Sequence, residues 1–306
     1  MQDHQRAVVK PKRLQPGDTI GIVAPAGPYD PDQLEQGLAV LTSLGYATKL
    51  PDGLSRPDGF LAGPDLHRAA FVNAFFADND VKGIICARGG YGSMRLLNLL
   101  DYEAIRNNPK VFVGFSDITA LHSAINDRCG LVTFHGPVVT SLSKADPETV
   151  HSLANGISST QPIEIKLKKA EIIREGKAVG RVCGGNLRTL CHLMGTPYAP
   201  DFTDGILLVE EINEAPYRLD RMLFQMRLAG CFDRIRGIIL GIFSACGDMT
   251  AVSNVIRRMF QDMAVPILAG FDIGHGPTNL TLPLGLSAKL DTNQKSLVFE
   301  EPGTNP

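Results

Sequence analysis

Val111-Phe112-Val113-Gly114-Phe115-Ser116-Asp117-Ile118-Thr119-Ala120-Leu121 changes character at its centre. The first four residues are apolar and mostly β-branched or aromatic, as suits a strand buried on both faces of a parallel sheet. From Asp117 to Ile125 the apolar residues Ile118, Leu121 and Ile125 recur at helical spacing. Ser116 stands at the join. A strand running directly into a helix needs a sharp turn, which presents the hydroxyl at the carboxyl edge of the sheet beside the first N–H groups of the helix. The nucleophile-elbow pattern Gly-x-Ser-x-Gly is only partly present, because its last position is Ile118. Two readings stand: Ser116 is a nucleophile, or Ser116 or Asp117 caps the following helix.

Working outward, strands and helices alternate at short spacing. Strands are expected at Thr19–Ala24, Tyr46–Leu50, Gly83–Ala87, at the approach to Ser116, and at Leu131–Phe134. Helices are expected at Pro31–Leu44, Asp65–Phe76, Ser93–Leu100 and after Ser116. This pattern predicts an open, mostly parallel α/β sheet. Right-handed crossovers then gather the loops Pro25–Pro28, Arg88–Gly92 and the Ser116 turn on one edge, where such sheets bind ligands. Gly89-Gly90-Tyr91-Gly92 lacks the Lys-Ser/Thr of a P-loop and the dinucleotide spacing. It is open to reading as a phosphate cradle, as bare backbone for an oxyanion, or as a plain turn.

From Thr140 to Lys177 the pattern loosens and charged turns appear. We therefore expect an α/β domain over 1–160, a linker over 161–178 and a smaller β-rich domain over 179–306. The chain of 306 residues is long enough for two cores. A net charge of −2 gives no electrostatic case for nucleic acid or an anionic membrane as partner. Met1–Lys12 is polar and lacks an apolar signal core, which leads us to expect a cytoplasmic protein. Six cysteines without paired ligand spacing read as small buried hydrophobes, and no metal or cofactor is expected.

In the second half, the apolar strand Ile206–Val209 ends in Glu210-Glu211, and alternation points these to opposite faces, one inward and one to solvent. His275 lies in Gly274-His275-Gly276, where glycines permit close approach to a ligand. His135 is a rival base, and His122 faces partly inward for packing. Ser116, Glu210 and His275 have the chain order serine, acid, histidine, with roles that suit acyl transfer.

Several segments, in this order, resemble the LD-carboxypeptidase family: Ala87-Arg88-Gly89-Gly90-Tyr91-Gly92, Gly114–Thr119, Gly184-Gly185-Asn186-Leu187, Val209–Glu214, Pro216–Leu223 and Gly274-His275-Gly276. The resemblance spans Pro16 to Phe299. It implies a serine peptidase with nucleophile Ser116, acid Glu210 rather than Glu211, and base His275. It further implies an oxyanion hole from the N–H groups of Gly90 and Asp117, and a flavodoxin-like domain followed by a smaller β-rich one. The implied reaction releases terminal D-alanine from peptidoglycan tetrapeptides, without a metal, in a homodimer. A carboxypeptidase must hold a free carboxylate; Arg88, Arg218 and Arg221 are candidates, with Tyr91 beside the first. The family's other branch, microcin C self-immunity peptidases, cleaves aminoacyl nucleotide conjugates and often stacks the base on Trp. This chain has no Trp, although Tyr or Phe could stack instead.

Overall fold

The computed structural model describes residues 7–306, so the polar segment Met1–Lys12 is described only from Ala7 onward. The front half supplies β1 (Thr19–Val23), α1 (Pro31–Ser43), β2 (Ala47–Lys49), α2 (Asp65–Ala77), β3 (Val81–Cys86), α3 (Tyr102–Asn107), β4 (Val111–Gly114), α4 (Thr119–Cys129), β5 (Thr133–His135), α5 (Val139–Leu142) and α6 (Pro147–Ser158). Strands β1 to β5 are parallel and stand in the order β2-β1-β3-β4-β5, the flavodoxin-like arrangement. Strands β3 and β4 are buried almost throughout, which explains their continuous apolar runs. Residues of α1, α5 and α6 pack on one face of the sheet and residues of α2, α3 and α4 on the other.

The back half supplies β6 (Glu164–Lys166), β7 (Glu171–Arg174), β8 (Lys177–Asn186), α7 (Leu187–Leu193), β9 (Gly205–Ile212), α8 (Pro216–Leu228), β10 (Gly237–Ser244), α9 (Met249–Met259), β11 (Ile267–Ala269), β12 (Leu282–Leu284), β13 (Ser287–Asp291) and β14 (Ser296–Phe299). Its eight-stranded sheet has the order β6-β14-β13-β8-β9-β10-β11-β7. The central run β8-β9-β10-β11 is parallel and the flanking strands are antiparallel. Helices α7, α8 and α9 bury Leu190, Leu223 and Ile256 against Leu207 and Ile238 of the sheet.

Three expectations change. The stretch 161–178, expected as the domain linker, supplies the two outer edges of the second sheet: the alternation of Gln161–Lys168 reads as a strand exposed on one face and is β6, while β7 lies between the expected charged turns. Strand β6, Glu164-Ile165-Lys166, alternates charged and apolar residues as an edge strand with one face toward water does. By sequence, Asn279–Leu284, Leu286–Leu290 and Ser296–Glu300 read as one closing antiparallel set; Leu282–Leu284 instead pairs antiparallel with β5, adding a sixth strand to the first sheet. Ser93–Leu96 is a single 3₁₀ turn rather than a helix reaching Leu100.

The two sheets share apolar contacts. Ile22, Val113 and Leu153 of the front half belong to one buried cluster with Leu208, Ile239 and Leu297 of the back half. A polar clamp adds to it, since Thr119 Oγ1 accepts the Asn186 N–H at 3.0 Å. This contact ties the start of α4, next to the Ser116 turn, to the end of β8.

Candidate active site

Ser116 ends the approach from β4 and has φ = 64°, a left-handed conformation that a residue with a side chain holds only when its surroundings enforce it. Gly114 permits the bend: a Cβ there would lie 2.8 Å from Cγ2 of Ile118, so the strand and the turn pack without a side chain between them. This close approach lets Ile118 occupy the position of the missing second glycine. The capping alternative does not describe these side chains. Ser116 Oγ bonds instead to a histidine from the back half, and the Asp117 carboxylate turns inward to accept the Ser93 N–H at 2.8 Å. Burial pushes the Asp117 carboxyl pKa up, opposed by the Ser93 hydrogen bonds and by the charges of Arg68 and Arg188.

Glu210 and Glu211 lie near the end of β9, just before Ile212, and His275 lies in the loop between β11 and β12. The Ser116 hydroxyl is 3.0 Å from His275 Nε2, and His275 Nδ1 is 2.7 Å from Glu210 Oε2. A hydroxyl donating to Nε2 and an Nδ1–H donating to the carboxylate is the tautomer consistent with both contacts. Glu210 is fully buried, while the His275 side chain keeps 15% of its surface exposed, so the carboxylate is shielded and the imidazole is reachable. Gly274 N–H donates to Asn279 Oδ1 at 2.8 Å, fixing the loop just before the histidine.

Glu211 does not meet solvent, contrary to expectation; it is as buried as Glu210. Its carboxylate accepts from Asn186 Nδ2 at 2.9 Å, Arg188 N at 2.7 Å and Ile212 N at 2.8 Å. Alternation does separate the pair, but both faces of this strand are covered. Burial raises the pKa of Glu211, against the pull of these donors.

His135, the rival base, is fully buried, and neither ring nitrogen has a partner among the described residues. Phe115 packs against both rings, 6.0 Å from that of His135 and 4.9 Å from that of His275. Burial holds the His135 pKa down to about 3, so it stays neutral. His122 donates Nε2–H to Gly114 O at 2.9 Å and is likewise held down to about 4 by burial. Its role is to brace the strand end.

An open cavity of about 580 Å³ lies over Ser116 and His275, lined also by Arg88, Gly89, Gly90, Arg188 and Asn213. Gly89 packs directly on Ser116, as a Cβ there would fall 3.2 Å from Ser116 Oγ. Gly90 and Asp117, the two expected oxyanion donors, are therefore one residue removed from this contact on either side. Arg88 lines the cavity but donates Nη1 to Pro28 O at 2.5 Å. Tyr91 is half-exposed and meets Phe60 edge-on, with ring centroids 5.3 Å apart. Arg218 and Arg221 lie outside the cavity lining, and both guanidinium groups sit over the Tyr217 ring.

Two arginines pass unnoticed in the sequence. Arg188 lines the cavity and follows Asn186 by two residues, within reach of a segment already singled out. Arg68 is 1% exposed and donates to Gly63 O, Pro25 O and Gly92 O, tying together the loops that flank the cavity. Nothing in an amphipathic helix pattern distinguishes such an arginine from a solvated one. Among the described residues no group of three or more His, Cys, Asp or Glu could hold a metal ion, and no helix is long and apolar enough to cross a membrane.

The family model of the LD-carboxypeptidase N-terminal domain matches residues 20–136, and that of the LD-carboxypeptidase C-terminal domain matches residues 179–290. A probable murein peptide carboxypeptidase of Bacillus subtilis (strain 168) is 37% identical over 95% of this chain and 94% of its own. The microcin C7 self-immunity protein MccF of Escherichia coli is 30% identical over 94% of both chains. Solved in complex with aspartyl sulfamoyl adenosine, MccF superposes with a TM-score of 0.89 at 27% identity, covering 97% of this chain and all of the other. A crystal structure of muramoyltetrapeptide carboxypeptidase from Oxalobacter formigenes superposes with a TM-score of 0.85 at 29% identity, over 94% of this chain and 100% of that one.

Proposed function

We propose that this chain, which belongs to the LD-carboxypeptidase family of serine-type peptidases, releases the terminal D-alanine of peptidoglycan tetrapeptides by hydrolysing an L,D-peptide bond. The observation that carries the reading is His275, which bridges Ser116 of one sheet and Glu210 of the other at the wall of an open cavity. A relay of this kind supplies a nucleophile and a proton acceptor without a prior rearrangement.

Ser116 Oγ attacks the carbonyl carbon of the diamino acid residue, and its proton passes to His275 Nε2. Buried Glu210 holds the imidazole in the required tautomer and stabilises the cation that forms. The N–H groups of Gly90 and Asp117 receive the developing oxyanion. His275 then gives its proton to the departing D-alanine nitrogen, the C–N bond breaks, and an acyl ester remains on Ser116. Water, deprotonated by His275, hydrolyses the ester. This chemistry suits a role in recycling cell-wall peptides in the cytoplasm, and the family resemblance points to a homodimer.

The exposed Phe60–Tyr91 pair favours a second reading, because two aromatic rings beside the Gly90 turn could stack a nucleobase. In that case an aminoacyl sulfamoyl adenosine would be the better substrate. Mass spectrometry decides between them: a murein tetrapeptide incubated with the protein should lose one D-alanine, and Ser116→Ala should abolish the loss. Turnover of the sulfamoyl conjugate with an untouched tetrapeptide would replace the first reading by the second.

A further inference from the structure

We infer that Arg188 is the residue that binds the terminal carboxylate of the substrate, the group that makes the enzyme a carboxypeptidase rather than an endopeptidase. The inference rests on the proposed function and names the contact that enforces its exo-specificity. It displaces the three arginines to which the family resemblance drew attention.

The position of Arg188 is fixed at both ends. Its backbone N–H donates to the buried carboxylate of Glu211 at 2.7 Å, and its Nη1 donates to Glu214 Oε1 at 2.8 Å. Glu214 is only 5% exposed. The Arg188 side chain nevertheless keeps 46% of its surface exposed and lines the cavity over Ser116. A guanidinium held by one edge presents its other donors in a fixed plane, the geometry that suits a two-oxygen anion. Its charge also reaches the Ser116 turn, since it is among the groups pulling down the carboxyl of Asp117.

Arg218 and Arg221 lie over Tyr217 and outside the cavity lining. Arg88 lines the cavity and, like Arg188, is held through one Nη1, in its case by the neutral Pro28 O, so it is a rival of the same kind. Lys144 also lines the cavity, is itself exposed, and sits in the turn after α5. As a compact charge on a flexible stem it offers no planar fork. Arg88 and Lys144 are therefore the rivals that the experiment must separate.

The test compares two substrates that differ only at the terminus: a tetrapeptide ending in D-alanine and the same peptide ending in D-alanine amide. Values of kcat/KM are measured for wild type, Arg188→Ala, Arg188→Lys, Arg88→Ala and Lys144→Ala. Wild type should prefer the acid by roughly 10- to 100-fold, the worth of a charge-assisted hydrogen bond. Arg188→Ala should lower kcat/KM for the acid by a similar factor, mainly through KM, and leave the amide nearly unchanged, bringing the preference close to one. Arg188→Lys should recover part of it. Because both substrates meet the same folded protein, a merely structural role for Arg188 would lower both rates together and keep the preference, which would overturn the inference. Collapse of the preference in Arg88→Ala or in Lys144→Ala, with Arg188→Ala retaining it, would overturn it equally. If wild type releases no D-alanine from the acid, the proposed function fails and this inference with it; release with an unmoved preference in Arg188→Ala ends the inference alone.

Discussion

Gly274 stands so close to Glu210 that a Cβ on it would lie 2.4 Å from Glu210 Oε2, the oxygen that accepts from His275. Its φ of 107° is also one that side chains rarely adopt. The Glu210 carboxylate and the loop bearing His275 are thus packed against each other with no room for a methyl group. Gly274→Ala is expected to push the carboxylate or the His275 loop aside, and a shift of about 1 Å in a catalytic group can cost roughly 100-fold in rate. Steady-state kinetics should show the loss in kcat with KM little altered. Full activity in a folded Gly274→Ala protein would mean that the Glu210–His275 contact is dispensable.

The three members of the relay act as a unit, so their substitutions should not add. Ser116→Ala and His275→Ala are each expected to remove nearly all turnover. Glu210→Gln keeps the shape of the acid but not its charge and should lower kcat by roughly 10⁴-fold, as an amide cannot stabilise the imidazolium. The double variant Ser116→Ala/His275→Ala should be no slower than Ser116→Ala alone. A serine-reactive probe gives an independent readout: wild type is labelled, Ser116→Ala is not, and His275→Ala is labelled slowly. Labelling of His275→Ala at the wild-type rate would remove His275 from the role of base.

Which parts of this arrangement can be read from the chain follows from how local their causes are. The parallel sheet of the front half is legible because β3 and β4 are continuous apolar runs bounded by turn residues, and α1 and α2 carry an apolar stripe at helical period. Helix α6 carries legible start signals as well: Asp146 caps it by accepting from Thr149 N–H, and Pro147 occupies its first turn. The charged residues around it obscure them. Strand β12 is not legible, because its partner β5 lies about 150 residues away and no local pattern names the sheet a short apolar segment will join. The same limit applies to Glu211. Alternation tells which face it takes, but only the packing of Asn186 and Arg188 over that face determines that it is buried.

Arg68 offers a prediction about the loops that frame the cavity. Its side chain is fully enclosed and donates to Gly63 O at 2.8 Å, Gly92 O at 3.0 Å and Pro25 O, and it also pairs with Asp65. Arg68→Met fills much of the same volume but leaves three carbonyls without their donor, at a cost of about 3 kcal/mol in unfolding free energy. Arg68→Lys should recover little, since a single ammonium cannot span three directions. Denaturant midpoints would measure the loss. A fall in kcat of the surviving folded fraction is also expected, because the loop released at Gly92 carries the Gly90 N–H. Unchanged stability in Arg68→Met would show that water satisfies these carbonyls instead.

His122 and His135 make a prediction about acid stability. Both are held well below the ordinary histidine value of 6.5 by burial, to about 4 and about 3. A group whose folded pKa is depressed binds its proton more readily in the unfolded chain, so lowering the pH favours unfolding. Well above pH 6.5 neither state is protonated and the two histidines leave stability flat. Below that, stability should fall, reaching a loss of about 2 kcal/mol per histidine at pH 5, and the His122 contribution levels off near pH 4. His122→Gln can still donate to Gly114 O but cannot take up a proton, so it should remove about half of the loss between pH 7 and pH 5. Urea denaturation at the two pH values measures it. An identical drop in wild type and His122→Gln would mean that the acid sensitivity originates in other groups.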